Sequence, residues 1–200
     1  TVLSYKNASK AYRQSHLGKV TWTPGLEGLD LEIQAGEIVG LLGLNGAGKT
    51  TTLKLALGLL FPTRGEVRVC GFSADDPRAL RRVGYLPELP YFYSHMTPRE
   101  ALRFYGRLSG VPEGDLPHRI DATLARVGLA SKAGQKIAGF SKGMLQKVGL
   151  AQAILHEPDL LLLDEPVSGL DPLAVAEMRA LFSTLNREGR TLFLSSHSIS

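Results

Sequence analysis

Eight residues, Gly43-Leu44-Asn45-Gly46-Ala47-Gly48-Lys49-Thr50, constrain this chain more than any other stretch. They fit a pattern of glycine, four free positions, Gly-Lys, and then threonine or serine. Glycines let the backbone curl so that successive amides face one point, and a helix starting there adds the positive end of its dipole. The pattern needs a strand before it and a helix after it. Residues 37–42 are a short apolar run, the mark of a buried strand. Residues 49–60, with Leu53, Leu55, Ala56, Leu57 and Leu59-Leu60, predict a helix closed by Pro62 and Gly65. The loop, with Thr51 behind it, is therefore expected to cradle phosphate. Lys49 would reach the terminal phosphates and the Thr50 hydroxyl a divalent cation.

The rest of the chain supports an open sheet around that unit. Residues 29–33 alternate as a half-buried strand, while 65–71, 83–86, 160–163 and 191–194 read as further strands. Helical patterns cover 115–127, 142–156 and 172–187. Thr97-Pro98-Arg99-Glu100 carries a cap, a proline at the first helical position and an acid three residues on. Strand signals are few across 97–140, which predicts a helical insertion between core parts at about 1–90 and 140–200. Strand, helix and strand in succession imply right-handed crossovers and a parallel sheet. The length of 200 residues suits a single α/β domain over 1–200.

Composition excludes several classes. With 44% hydrophobic and 21% charged residues the chain is not a disordered one. No apolar run approaches the roughly 20 residues that span a bilayer, because the most apolar stretch, 38–61, contains Lys49, Lys54 and a glycine cluster. Ser4, Lys6, Asn7 and Lys10 interrupt any apolar leader at the start. One cysteine, Cys70, allows no internal disulfide and fits a reducing cytoplasm; its strand-like context over 66–70 predicts a buried structural thiol. A net charge of +4 suits nucleotide, nucleic acid or lipid partners alike. Arg78, Arg81 and Arg82 form the densest basic cluster, expected as a solvated helix face.

Four leucines, 160–163, lead into Asp164-Glu165. Two carboxylates thus fall at the carboxyl end of a core strand, where ligands bind in open parallel sheets. Asp164 is suited to hold Mg²⁺, and Glu165 to polarise a water for attack on the terminal phosphorus.

The phosphate loop and the acid pair, together with Ser168-Gly169-Leu170-Asp171 and His197, resemble the ABC-transporter ATPase family over nearly the whole chain. The resemblance implies an α/β fold: a P-loop NTPase core with a mainly parallel sheet, an N-terminal antiparallel β region and an inserted helical subdomain. It implies ATP and Mg²⁺ as ligands, a catalytic role for Glu165, His197 and Lys49, and dimerisation around two ATP molecules. Phe140-Ser141-Lys142-Gly143-Met144 matches the family signature only at Ser141 and Gly143. In the family this segment contacts ATP held by the other protomer. Lys142 either adds a positive charge there or points to solvent. Glu88, in Gly84-Tyr85-Leu86-Pro87-Glu88, replaces the usual metal-touching glutamine, and a carboxylate can also ligate the metal. Tyr-Leu-Pro-Glu with Ser-Lys-Gly-Met is similar to exporters of drug, polysaccharide or multi-component type. Asp171 serves the dimer interface, a helix cap before Pro172, or both. Tyr12 resembles the aromatic that stacks on adenine, with Trp22 and Tyr5 as competitors. The stretch 13–26 is longer than the family's usual connection.

The expected function is an ATP-hydrolysing subunit that drives separate transmembrane subunits, through a homodimer or heterodimer at the cytoplasmic face of the membrane. The alternative is an ABC ATPase acting on nucleic acid or ribosomes. One phosphate loop, no heptad run and a single cysteine argue against it, so no nucleic acid is expected. Glu165 and His197 oppose a third class, a binding module without catalysis. The chain ends three residues after His197, where the family continues, so a C-terminal truncation is expected.

Overall fold

A computed structural model describes residues 1–16 and 19–197. Two long antiparallel strands come first, β1 (Leu3–His16) and β2 (Lys19–Ile33), paired from Leu3 opposite Ile33 to Ser15 opposite Val20. The ladder slips between Tyr5 and Ala11, with Asn7 left-handed at φ 46. Such bulges bend a ribbon and increase its twist. Residues 13–16 and 19–26, expected within a long connection, are thus in the outer part of a β-arm.

β3 (Ile38–Leu42) feeds the glycine loop and then α1 (Lys49–Ala56). β4 (Arg64–Val69), β5 (Phe72–Ser73), the short α2 (Pro77–Leu80) and β6 (Val83–Leu86) follow. The helical block holds α3 (Pro98–Leu108), α4 (Leu116–Arg126) and two short 3-10 turns. Thr97 caps α3 through a complete capping box with Glu100, worth about 1 kcal/mol. The chain then runs through α5 (Lys142–Ile154), β7 (Leu160–Leu163), α6 (Pro172–Arg187) and β8 (Thr191–Ser196).

Two four-stranded sheets result, ordered β2-β1-β4-β5 and β3-β8-β7-β6. All pairings in the first are antiparallel and all in the second parallel. The four leucines of β7 are each 0% exposed and face two ways. Leu160 and Leu162 join Leu3, Tyr5, Leu53 and Phe193 beneath the antiparallel sheet. Leu161 and Leu163 join α5, α6 and the helical block, among them Leu102, Ile120, Val148 and Met178. Burying one leucine stabilises the fold by about 2 kcal/mol, so β7 is the hinge of both cores. The Tyr5 hydroxyl donates to the Thr52 carbonyl at 2.8 Å, locking β1 onto α1.

Two expectations need correction. The helix after the loop ends at Ala56, not at residue 60, because Gly58 turns left-handed at φ 63. Cys70 lies outside the strand, half-buried in a turn at φ 50, with its amide donating to the Val2 carbonyl at 2.7 Å. In the basic cluster, Arg78 pairs with Asp76 and Arg82 with Asp159.

Candidate functional site

The glycine loop is anchored at its start by Gly43 N–H, which donates to the Ser196 carbonyl at 3.2 Å. Gly46 and Gly48 are left-handed at φ 85 and φ 86. Gly48 is the N-cap of α1, so no side chain caps that helix, and its first turn holds no acid. The leading amides of α1 are therefore available to an external anion, with the helix dipole favouring negative charge. Lys49 is 7% exposed. Its ammonium donates to the carbonyls of Gly43 at 2.6 Å and Leu44 at 3.2 Å, and lies 3.4 Å from Glu165 Oε1.

β7 delivers the acid pair next to β8. The Ser195 hydroxyl donates to Asp164 Oδ1 at 2.6 Å and accepts from the Glu165 amide at 3.0 Å. Glu165 is left-handed at φ 47, uncommon for a residue with a side chain. Glu165 Oε2 accepts from the His197 amide at 3.2 Å and lies 2.8 Å from His197 Nδ1. Beside Asp164, burial first and its carboxylate second push the Tyr85 phenol up to about 12.

A cavity of about 340 Å³ is lined by the loop residues 45, 46 and 48–51 and by Tyr12, Gly25, Glu88 and Glu165. Tyr12 arrives there on β1, its hydroxyl 3.0 Å from Thr51 Oγ1. Trp22 sits opposite Arg13 in the ladder, and Tyr5 is buried in the core, so neither competes with Tyr12 at this wall. Asp164 is set back from the cavity at 6% exposure. No cluster of three His, Cys, Asp or Glu side chains suits a metal among the described residues. The donors available, the Thr50 hydroxyl and the Glu88 and Asp164 carboxylates, are hard oxygens. Magnesium commonly takes one or two carboxylates and completes its shell with phosphate and water oxygens, so the set fits it.

The 141–144 segment is not part of this cavity. Ser141 caps α5 by accepting from the Met144 amide at 3.3 Å. The half-buried Lys142 brings its ammonium close to Gly169, and Gly143 packs on Ala174. Asp171 caps α6, accepting from the Ala174 amide at 2.9 Å. Sequence reasoning missed Ser195 and Gln146. Ser195 shares a strand face with Thr191 and Phe193, and a buried polar group at the end of an apolar strand was its one signal.

A parallel sheet whose strand, glycine loop and helix present uncapped amides and a buried lysine defines a P-loop nucleotide-binding protein. The family described as ABC transporter matches residues 26–168. The bacitracin transport ATP-binding protein BcrA of Bacillus licheniformis is 42% identical over 86% of this chain and 56% of its own length. A solved structure of an ATP binding subunit of an ABC transporter is 36% identical with a TM-score of 0.80, covering 98% of this chain and 80% of that one. The ATP-binding cassette MJ0796, solved as a dimer in a post-hydrolysis state with ADP and Pi, gives 0.86 at 25% identity, covering 98% and 88%. The chain belongs to the ABC transporter family, as an ATP-binding domain. It spans about half to two thirds of the length of the curated relatives it matches.

Proposed function

We propose that the chain hydrolyses ATP as the nucleotide-binding part of a membrane transporter. The observation that carries this reading is the convergence of Lys49, Thr50, Tyr12, Glu88 and Glu165 on one cavity at the uncapped start of α1. Tyr12 gives the adenine a stacking wall. On phosphate arrival the Lys49 ammonium exchanges the Gly43 and Leu44 carbonyls for the terminal phosphates. Glu165, held by the His197 amide and imidazole, then orients a water towards the last phosphorus. Thr50, Glu88 and Asp164 would hold Mg²⁺, which supplies positive charge against the phosphate oxygens when bound.

The 141–144 segment lies away from the cavity, which supports two protomers exchanging these segments around two ATP molecules. The dimeric MJ0796 cassette supports the same arrangement. No described helix is long and apolar enough to cross a membrane. Membership of the ABC transporter family supports placing the domain at the cytoplasmic face, working on transmembrane subunits. The helical block over 97–140 is proposed as the subdomain that transmits nucleotide state to them. Export is supported by the Tyr85-Leu86-Pro87-Glu88 and Ser141-Lys142-Gly143-Met144 variants and by relatives named for bacitracin transport.

Replacing Glu165 by glutamine tests the reading. In the full-length protein, Glu165→Gln lowers ATP turnover by a factor on the order of 10² to 10⁴ and leaves an ATP-dependent dimer visible by sedimentation. Normal turnover in that variant removes Glu165 from the water-orienting role.

A further inference from the structure

We infer that Gln146 is a positioning residue for hydrolysis, its side-chain amide holding the Glu88 and Glu165 segments in register. The inference rests on the ATPase reading above. Gln146 is 0% exposed on α5. Its Nε2 donates to the Glu88 carbonyl at 3.1 Å and to the Pro166 carbonyl at 3.2 Å. Carbonyls only accept, so the nitrogen must face them. That orientation leaves Oε1 buried with no hydrogen-bond partner among the described residues. An unpaired buried acceptor is costly. An apolar side chain would avoid that cost, so what glutamine adds here is the pair of donated bonds.

Both bonds end on loops that carry site carboxylates. Glu88 lines the cavity. Pro166 follows Glu165, whose left-handed backbone persists only where the surroundings over-determine it. Ser195 holds Glu165 from its amide, and Gln146 holds the next carbonyl. The helix α5 also lies directly on the Glu88 segment, because a Cβ at Gly149 would stand 2.6 Å from Leu86 Cδ1 and 2.9 Å from Pro90 Cγ. One amide therefore ties together the exits of β6 and β7 and the helix that Ser141 caps. None of its bonds reaches the 43–51 loop, and both end on backbone carbonyls rather than on groups that face the nucleotide, so the hydrolytic geometry depends on it more than nucleotide uptake does.

Two variants of the full-length protein test this. Gln146→Met keeps the volume and loses both donations. Gln146→Leu likewise loses both donations and removes the buried acceptor with them. At neutral pH both lower kcat for ATP on the order of 10- to 100-fold, the range a small misplacement produces. KM for ATP changes by less than about twofold, and the thermal midpoint stays within about 4 °C. If Gln146→Met fails to fold, kcat and KM of Gln146→Leu decide. Unchanged kcat in a folded variant overturns the proposal, as does a KM that rises in step with the loss of kcat. Wild-type protein that binds ATP without turning it over defeats the ATPase reading itself, and the inference with it.

Discussion

At position 48 the backbone is left-handed at φ +86, and an added Cβ would stand 2.5 Å from the Gly25 carbonyl oxygen. The close approach joins the loop to the β-arm that brings Tyr12, so nucleotide contacts on both sides depend on it. Gly48→Ala is expected to destabilise the fold by about 1–3 kcal/mol, read from thermal unfolding, and to weaken ATP binding in the same protein. An unchanged midpoint would mean the loop relaxes at no cost. Other key residues differ in how legible they are. Lys49, Thr50, Asp164 and Glu165 belong to local patterns that announce their chemistry. Ser195 and Gln146 do not, because each gains its meaning from partners far along the chain: Ser195 from Asp164, 31 residues away, and Gln146 from Glu88, 58 residues away.

Among the elements, β6, β7 and α6 were readable to the residue, since apolar runs or a Pro cap bound them sharply. The β1–β2 arm was not readable beyond 29–33: its outer half carries exposed polar residues, and its bulges break the alternation that marks a strand. The junction of α5 with β6 carries a pH-sensitive contact. His156 Nε2 lies 3.0 Å from the Val83 carbonyl, which can only accept, so the proton is on Nε2. Its Nδ1 is then a buried lone pair without a partner among the described residues. Burial holds the His156 pKa below its ordinary 6.5, with the Val83 bond opposing and Arg190 adding to the shift. On acidification the unfolded imidazole protonates first, so the unfolded chain binds more protons and stability falls as pH drops below about 6.5. Thermal midpoints from pH 7.5 to 5.5 (about the window set by an ordinary histidine) should decline, and His156→Gln should flatten that decline. An equally steep decline in the variant would assign the effect to another group.

At the scale of the whole molecule, the leucines of β7 serve two cores at once, one under the antiparallel sheet and one shared with the helical block. The acid pair follows that strand directly, so the carboxylates proposed for metal binding (Asp164) and water orientation (Glu165) stand where both halves of the fold meet. Movement of the helical block relative to the sheet would reach Glu165 through α5 and Gln146, a short route from nucleotide state to the surface that partners would read. The proposed chemistry depends on the 43–50 loop taking up a nucleotide. The direct measurement is a calorimetric titration of the protein with Mg-ATP, run in parallel on Lys49→Ala. Saturable uptake by the native chain, weakened in the variant by at least about 100-fold for loss of a buried charge partner, is the expected result. No saturable uptake by the native chain, or equal affinity in the two proteins, would contradict it.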